Sequence, residues 1–439
     1  MNVKWLNILC IAGLSGAAQS SHAVISREKA YDILTKSGFR WRQTEVLQLE
    51  ADAKSAEAKS LRMPHIQFSV KEYVAKVNPL QYGLSIAADV DMIAIGTTGF
   101  ELGFLLYDRS IFDKIDAAAK NQNLTAAQKE QYQVDLTSLM LVQFLNVQRL
   151  QKKLEALDTS RERAEEVLKI AQDKVSSGLG VKLDLMRAQS LVAAEKLKTL
   201  DAQMSLSKAR QELATTLGRE DLREDLEPLS VKVIDPVKLA SSYSDTIELR
   251  PDIKVARLGI ETSRLLSDSA RHTRWPKAVL FGSLGMFQTV SVFGLGADRV
   301  NGSGGLGISM PIYSGGGIDA EEQKSAAVAL KAEFQEQHML LEAKSQLLLS
   351  IQQLKTAQAA IEVSERQVKM VEEELRLSKQ KFQSGSGNGL DVTNTLVSFA
   401  SAHDSNIDAM FAYEVAKVGF FKNSGSFKNY FAKNSNGVN

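Results

Sequence analysis

The sequence contains a single cysteine, seven prolines and five histidines among 439 residues. The cysteine, Cys10, lies near the N-terminus, so the rest of the chain has no disulfide, thiol nucleophile or thiolate metal site, which suits an oxidising compartment. Later histidines lack the spacing of metal ligands: His65, His272, His338 and His403. No Ser-His-Asp arrangement or pair of carboxylates stands out. We therefore expect no metal, no cofactor and no catalytic site.

An excess of charge is also missing. Lysine and arginine total 53 and aspartate and glutamate total 52, whereas nucleic-acid-binding chains normally carry a basic surplus. After residue 23 there is no run of about 18 uncharged apolar residues, the length that a helix needs to span a bilayer. The sequence thus argues against nucleic acid as a partner and predicts no transmembrane helix.

Residues 1–23 have the pattern of a secretory signal peptide. Lys4 precedes an apolar stretch, and Ser21-His22-Ala23 forms a small-x-small cleavage site. A membrane-anchoring helix is the less favoured alternative, because the apolar stretch from Trp5 to Ala18 is shorter than a spanning helix. We expect cleavage after Ala23.

Two stretches without proline, residues 80–227 and 312–439, favour long helices. Across residues 136–175 apolar side chains recur in steps of three and four, which is typical of a coiled-coil-like helix. A helix over about residues 126–176 would be roughly 75 Å long, and one over about residues 318–383 roughly 100 Å. Such lengths predict an extended bundle or tube rather than a compact core.

An internal duplication is the strongest signal in the sequence. Residues 165–218 match residues 372–425 without gaps at a constant offset, 391 − 184 = 207. Each repeat contains a glycine-rich turn, at residues 177–183 and 384–390, where glycine allows the left-handed conformation that ends a helix. The duplication predicts two equivalent helical hairpins. The residues expected to shape these turns are Gly178, Gly180 and Asp184 in the first hairpin and Gly385, Gly387 and Asp391 in the second. We expect both aspartates to cap the next helix.

Strand-like sequence precedes each hairpin. Apolar and polar residues alternate near 64–78, 98–108, 276–288 and 303–313, and each run is long enough to cross a bilayer as a tilted strand. On periodicity alone, a sheet in a soluble domain is an equal alternative. Four strands are too few to close a barrel, so membrane strands would require several protomers to share one. Aromatic residues lie near the strand ends, as in membrane girdles: Tyr73, Tyr107, Trp275, Phe287 and Tyr313.

These elements define the expected organisation. A signal peptide (1–23) precedes a first repeat (24–218), a linker (219–246), a second repeat (247–425) and a C-terminal tail (426–439). Each repeat contains a helix, two strands and a long helical hairpin. The expected fold class is mainly α with membrane β.

The order of several motifs resembles the outer membrane efflux protein (TolC) family over nearly the whole mature chain. The motifs are Arg250-Pro251-Asp252-Ile253, Arg274-Trp275-Pro276 before a strand, Met310-Pro311-Ile312-Tyr313-Ser314-Gly315-Gly316 after one, and the two Gly-x-Gly-x-x-Leu-Asp turns. The resemblance implies a homotrimer in the outer membrane, extending into the periplasm. Each protomer would give four strands to a twelve-stranded β-barrel and long helices to a periplasmic α-barrel. The linker would form an equatorial band around that tunnel.

The resemblance also implies partners and site roles. Such a channel exports drugs, metals or polypeptides passively with a periplasmic adaptor and an inner-membrane transporter, and is surrounded by outer-membrane lipid. Asp391 and Asn394 match an Asp-x-x-Asp ring at the periplasmic entrance, with asparagine in the second acidic position, which predicts weaker cation affinity. The glycine turns are expected to dock the adaptor. The alternative is a periplasmic adaptor or coiled-coil scaffold, which would share the hairpins but would not need bilayer-length strands.

Overall fold

The computed structural model describes residues 24–75, 93–234, 244–291, 296–427 and 430–431. The predicted signal peptide, part of the predicted linker and most of the tail lie outside these residues. The chain divides into two compact units, each drawn from both repeats. The first unit comprises Met1–Phe39, Thr137–Ile234 and Gln353–Val418, and the second Arg40–Leu136, Asp235–Gln352 and Gly419–Asn439.

The first repeat starts with two helices instead of the single helix that was expected. Its elements are α1 (Arg27–Ser37), α2 (Phe39–Ser60), β1 (His65–Ala75), β2 (Ile93–Tyr107), α3 (Arg109–Ser176) and α4 (Lys182–Leu217). Gly38 ends α1, because its backbone takes an extended conformation with ψ 117° while its N–H donates to the Leu34 carbonyl. The single helix expected before the strands is therefore split in two.

The second repeat has the same order. A short 3-10 helix (Ser244–Leu249) leads to α5 (Pro251–His272), β3 (Lys277–Ser291), β4 (Gly296–Ser309), α6 (Gly317–Ser384) and α7 (Gly389–Asn423). Helices α3 and α6 each contain 68 residues, which corresponds to about 100 Å. In the part of the chain that the structure describes, no helix has both the length and the apolar character to cross a membrane.

Helix α3 begins at Arg109 instead of near residue 126 because Asp108 caps it. The Asp108 Oδ1 atom accepts hydrogen bonds from the Ser110 N–H at 2.9 Å and the Ile111 N–H at 3.4 Å. Ile111, Phe112 and Ile115 have helical spacing, but Asn121-Gln122-Asn123 separate them from the long stripe that starts at Leu136, so this part of the helix was missed. The cap also reaches the second repeat, since Asp108 Oδ2 lies 3.0 Å from the Lys277 ammonium.

Replacing Asp108 by alanine is expected to lower the free energy of unfolding by about 1–2 kcal/mol, the usual loss for an N-cap. Asp116→Ala is the matched control on the same helix, because Asp116 is exposed and surface substitutions normally change stability by less than about 0.5 kcal/mol. Denaturant unfolding of both variants gives the difference. Equal effects for the two aspartates would contradict the capping role.

Acid should remove the stabilisation of the fold that Asp108 provides. Burial opposes ionisation of Asp108, but hydrogen bonds from Ser110 and the Lys277 ammonium outweigh it and hold the pKa of Asp108 below its usual value. A carboxyl group whose pKa is lower in the folded chain stabilises the fold above its unfolded pKa of about 3.9. That stability is lost as the pH falls through the folded pKa. The parent and Asp108→Ala should therefore converge in stability below about pH 4.

The four strands form one antiparallel sheet in the order β1-β2-β3-β4. The β2–β3 pairing joins the two repeats, with Phe100 opposite Leu284. Strand β2 starts at Ile93 rather than near residue 98, and β4 covers Gly296–Ser309 rather than 303–313. Charged residues in the early part of β4 hide its alternation, and Pro311 after it has no N–H to donate to a ladder.

Candidate functional site

One face of the sheet is apolar and exposed. Strand register places Phe68 opposite Phe100, and Phe100 opposite Leu284, with the two phenyl centroids 5.2 Å apart. Exposed apolar surface of this extent marks an interaction site, because soluble proteins rarely leave it bare. The exposed members of this face are Ile66, Phe68, Val70, Phe100, Leu284, Met286, Val300, Leu306 and Ile308.

The opposite face is polar along the middle of the sheet, and it also carries Val279 and Phe281, 37% and 50% exposed, near the start of β3. The Glu101 carboxylate lies 2.6 Å from the Lys71 ammonium and accepts a hydrogen bond from the Ser69 hydroxyl at 2.8 Å. The hydroxyls of Ser283 and Ser303 are 2.7 Å apart on the neighbouring strands. Along β1 and the middle of the other strands, apolar residues thus alternate with polar or small ones, the pattern of a sheet between lipid and water.

Aromatic side chains lie beside the strand ends, as the sequence predicted. Trp275 precedes β3 and Tyr107 ends β2, and they are 46% and 38% exposed. Tyr313, shortly after β4, is 88% exposed. Because β2 ends, β3 begins and β4 ends at the same edge of an antiparallel sheet, these three rings mark one edge. Tyr73 and Phe287 were also predicted at strand ends, but their side chains are not among those that the structure describes.

The two hairpin ends pack together in the first unit. Their shared core draws small and apolar residues from all four hairpin helices. Between the turns, the Lys174 ammonium donates a hydrogen bond to the Phe382 carbonyl and lies 4.4 Å from the centre of the Phe382 ring. The core residues are Ala164, Val167, Ala171, Ala188, Leu191, Val192, Leu375, Phe382, Val392, Leu396 and Phe399. The turns thus form one surface, which we call the tip: residues 177–183 and 384–390.

The predicted turn glycines have equivalent geometry in the two repeats. Gly178 and Gly385 have φ of 74° and 82°, in the left-handed region. The residue after each donates its N–H back to a lysine carbonyl, from Leu179 to Lys174 at 2.9 Å and from Ser386 to Lys381 at 3.0 Å. This is the hydrogen bond of a Schellman motif.

The second glycine of each turn is required by space. A Cβ added to Gly180 would lie 2.8 Å from the Lys174 and Val175 backbone, and one added to Gly387 would lie 3.2 Å from the Lys381 backbone. The φ of both lies outside the left-handed region. Any larger residue would push the chain away from the end of the preceding helix.

The predicted capping bonds of Asp184 and Asp391 are not the ones that the structure forms. Helix α4 starts after Val181, which provides no side-chain cap. Helix α7 is capped by Asn388, whose Oδ1 accepts from the Asp391 N–H at 2.8 Å. The first repeat has Val181 at the position of Asn388 (388 − 207 = 181), so the duplication did not mark Asn388 as a cap. Both aspartates still lie in the first helical turn, where the helix dipole favours negative charge.

The acidic residues of the two repeats differ in their neighbours. The Asp184 carboxylate lies 3.4 Å from the Arg187 guanidinium. The equivalent pair in the second repeat is Asp391 and Asn394 (394 − 207 = 187), and both are exposed. Next to the tip, the first turn of α4 therefore has an aspartate paired with an arginine, and the first turn of α7 has one without an arginine at the equivalent position.

Sequence reasoning missed two exposed apolar side chains at the tip. Leu179 is 85% exposed and Val181 is 63% exposed. In a Schellman motif the residue at the Leu179 position usually packs back on the helix, so its exposure is the unusual feature. The second turn has Ser386 and Asn388 at these places (386 − 207 = 179; 388 − 207 = 181). Comparing the two repeats for differences rather than identities would have found them.

No group of three or more histidine, cysteine, aspartate or glutamate side chains within the described ranges is arranged to hold a metal ion. The expectation that this chain has no catalytic site stays a prediction.

Comparison with known proteins gives a family match on both repeats. The family model for outer membrane efflux protein matches residues 94–219 and 242–422. The chain is similar to the pyoverdine export outer membrane protein OpmQ of Pseudomonas aeruginosa, 24% identical over 69% of this chain and 64% of that one. It is also similar to the proteases secretion protein PrtF of Dickeya chrysanthemi, 23% identical over 55% of this chain and 54% of that one. The matches therefore span between half and two thirds of these relatives.

Solved structures share the fold over a greater length. The CmeC outer membrane channel of Campylobacter jejuni superposes with a TM-score of 0.78, covering 93% of this chain and 89% of that one at 17% identity. The outer membrane protein VceC of Vibrio cholerae gives a TM-score of 0.76, covering 91% and 96% at 16% identity. The arrangement of helices and strands is thus that of these proteins.

Proposed function

Because the chain belongs to the outer membrane efflux protein family, we propose that it is the outer-membrane channel of an export system. It would conduct cargo passively from the periplasm to the outside. The observation that carries this proposal is the two-faced sheet, apolar and exposed on one side and polar on the other. The alternative of an adaptor or scaffold is not favoured, because it needs neither this sheet nor a match to this family.

Four strands leave both edges of the sheet unpaired within the described chain, and open edges do not occur in a lipid core. We propose that three copies join their strands in a single twelve-stranded barrel. The long helices α3 and α6, with α4 and α7, would form the periplasmic tunnel. A periplasmic adaptor and an inner-membrane transporter are the expected partners, and the transporter would supply the energy.

The names of the relatives indicate two classes of cargo, small molecules and polypeptides. One relative is named for pyoverdine export and another for protease secretion, which are a small molecule and polypeptides. A deletion strain compared for drug sensitivity and for secreted proteins distinguishes these classes. Loss of either function, restored by the gene, supports a conduit, and no change in either contradicts it.

A paired substitution tests the membrane face. Phe68→Lys places a charge on the apolar face, where lipid would cost about 2–4 kcal/mol at the membrane centre. Gln67→Lys places the same charge on the polar face, since neighbouring residues of a strand point to opposite sides. We expect Phe68→Lys to lower the amount of protein assembled in the outer membrane and Gln67→Lys to leave it unchanged. Equal assembly of both variants would remove the membrane role of this sheet.

The tip is the proposed docking surface for the adaptor. Gly178, Gly180, Gly385 and Gly387 set the shape of the two turns, and Asp184 lies against the start of α7, with its Cγ 2.7 Å from a Cβ added to Gly389. Docking would shift a closed tip towards an open one by binding the open form better. Contacts between the turns, such as that of Lys174 with Phe382, would be exchanged during this change.

Asp391 and Asn394 are the proposed entrance residues. In a trimer, Asp391 would contribute one ring of carboxylates and Asn394 a neutral ring. Asn394→Asp is expected to tighten block by a trivalent cation by at least fivefold, because one pair of opposite unit charges at a few ångströms in water contributes about 1 kcal/mol and the variant adds one carboxylate per copy. Conductance of single channels during a cation titration measures the block. Asn394→Gln is the control, and an equal response of both variants would contradict the entrance role.

A further inference from the structure

The polar face of the sheet carries an aromatic ring. Phe281 lies on the same face as Glu101 and Ser283 and is 50% exposed. The water-facing side of a membrane barrel is normally polar, and an apolar ring in contact with water is unfavourable unless something covers it. Lipid on the opposite face of the sheet cannot cover Phe281, so its exposed surface is available to a molecule on the water side.

Glycines lie beside Phe281 on both neighbouring strands. Strand register places Phe281 opposite Gly103 on β2 and opposite Gly305 on β4. The ring leans over β4, since a Cβ added to Gly305 would lie 3.1 Å from Phe281 Cζ and one added to Gly307 would lie 3.7 Å from its Cε1. A Cβ added to Gly103 would have no described atom within 4 Å beyond its chain neighbours. The space above Gly103 is therefore an open slot beside the ring.

Aromatic side chains flank this slot at a spacing that suits one planar group. His65 on β1 also lies opposite Gly103, so an imidazole and a phenyl ring lie on either side of the same glycine. Neighbouring strands are about 4.8 Å apart, which places β1 and β3 about 9.6 Å apart. A ring stacked between two others needs two centroid separations of about 4.5 Å, or about 9 Å in all. We define the slot by Gly103 as its floor and by His65 and Phe281 as its walls.

The two ends of the slot differ in chemistry. Leu105 and Val279 lie opposite each other, two residues from Gly103 towards the end of β2 where α3 begins. They make this end apolar. Glu101 lies two residues from Gly103 in the other direction, and it provides a carboxylate on the same face. The slot thus offers an apolar end and an anionic end to one molecule.

The Glu101 carboxylate has room for a second cation. Its Oε1 atom accepts hydrogen bonds from the Lys71 ammonium at 2.6 Å and from the Ser69 hydroxyl at 2.8 Å, which leaves Oε2 without a bond to another described residue. Lys71 reaches Glu101 from the side away from the slot, because it lies opposite Thr97, four residues farther along β2. A cation in the slot would meet the carboxylate before the ammonium, and the face of Phe281 also attracts positive charge.

We propose that the slot binds planar aromatic cations as they pass along the conduit. The aromatic part lies over Gly103 between His65 and Phe281, and the positive charge lies next to Glu101. A contact of this kind is weak, as a conduit requires, since cargo must also leave it. The inference deepens the proposed function by naming a class of cargo, and it rests on that function for the assignment of the polar face to the water side.

Binding of ethidium, a planar aromatic cation, to the detergent-extracted protein tests the slot by fluorescence anisotropy. Gly103→Val fills the floor of the slot. We expect normal assembly of this variant, because the added Cβ has open space and valine favours strands, but ethidium affinity at least about fivefold lower, the usual loss of a stacking contact. Gly282→Val is the matched control on the membrane face, where an added Cβ lies 3.6 Å from the Ser303 carbonyl oxygen, and it should bind ethidium like the parent.

Two further variants separate stacking from charge. Phe281→Leu keeps an apolar side chain beside Gly305 but removes the ring, and Glu101→Gln removes the charge and keeps the shape. Each should lower ethidium affinity by about fivefold. Fluorescein, a planar aromatic anion, should bind more weakly than ethidium. Cyclohexylammonium, a cation without an aromatic ring, should not displace ethidium.

The slot would be overturned by equal ethidium affinity in Gly103→Val and the parent, or by tighter binding of fluorescein than of ethidium. Equal affinity in Phe281→Leu would show that the ring only covers the glycines of β4, as aromatic residues do in other sheets. None of these results affects the conduit, because assembly in the outer membrane and export are measured separately in the same strains. Absence of the parent protein from the outer membrane would contradict the conduit and, with it, a cargo site in the slot.

Discussion

Glu414→Gln is expected to lower the free energy of unfolding by about 3 kcal/mol, the size of effect seen when one member of a buried ion pair is removed. The Glu414 side chain is 1% exposed and lies 2.7 Å from the Arg27 guanidinium. Its second oxygen lies 3.6 Å from the ammonium of Lys417, which is 3% exposed. The neutral amide would leave two buried cations with less compensation.

This cluster holds the first residues of the described chain in place. Arg27 also lies 3.4 Å from the Glu227 carboxylate, and Ile25 forms a parallel bridge with Leu226. Burial lowers the pKa of Lys417 against the attraction of Glu414 and raises the pKa of Glu227, as expected for charges removed from water. Loss of Glu414 should therefore loosen the start of α1 as well as α7.

Asp32→Asn provides the control for Glu414→Gln. Asp32 pairs with Lys36 at 2.7 Å on the exposed side of α1, and exposed pairs of this spacing contribute about 0.3–0.5 kcal/mol. Unfolding of detergent-solubilised protein in a denaturant series gives both values. A loss for Glu414→Gln as small as that for Asp32→Asn would show that the buried cluster does not stabilise the fold.

The tip substitution with the largest expected effect on export is Leu179→Ser with Val181→Asn. These are the residues at the equivalent positions of the second turn, so the variant copies a turn that the chain already forms. If Leu179 is buried by the adaptor, its loss removes about 1.5–3 kcal/mol of binding, or about 10- to 150-fold in affinity. Export should then fall towards the level of the deletion strain.

The same variant should be at least as stable as the parent. Val181 gives α4 no side-chain cap, whereas Asn388 caps α7, and gaining such a cap adds about 1 kcal/mol. Reduced export therefore cannot be assigned to unfolding. Leu49→Ser, which replaces another exposed leucine in the other unit, is the control. Unchanged export and unchanged cross-linking to the adaptor would contradict the proposal that the adaptor docks on the tip.

Long helices and turns were predictable because their signals repeat. The spacing of apolar residues in α3 and the offset of 391 − 184 = 207 predicted both hairpins. The start of α3 was not predictable from periodicity, since it is set by a cap: Asp108 bonds to the N–H of Ser110 two residues later. That cap is a local signal, whereas the contact of Asp108 with Lys277 in the second repeat leaves no local pattern in the sequence.

The candidate site was predictable only where residue type fixes conformation. Gly178 and Gly385 have the left-handed backbone expected of them. The exposure of Leu200 on α4 was not predictable, because an apolar residue in a periodic pattern is normally assigned to a core. Which apolar stripe is covered depends on tertiary packing, which the local sequence does not specify.

The native mass of the protein extracted from outer membranes with detergent tests the central claim most directly. A β-barrel shared by three copies predicts a membrane-bound trimer. A monomer or dimer that is soluble without detergent would contradict the channel and favour a periplasmic adaptor instead.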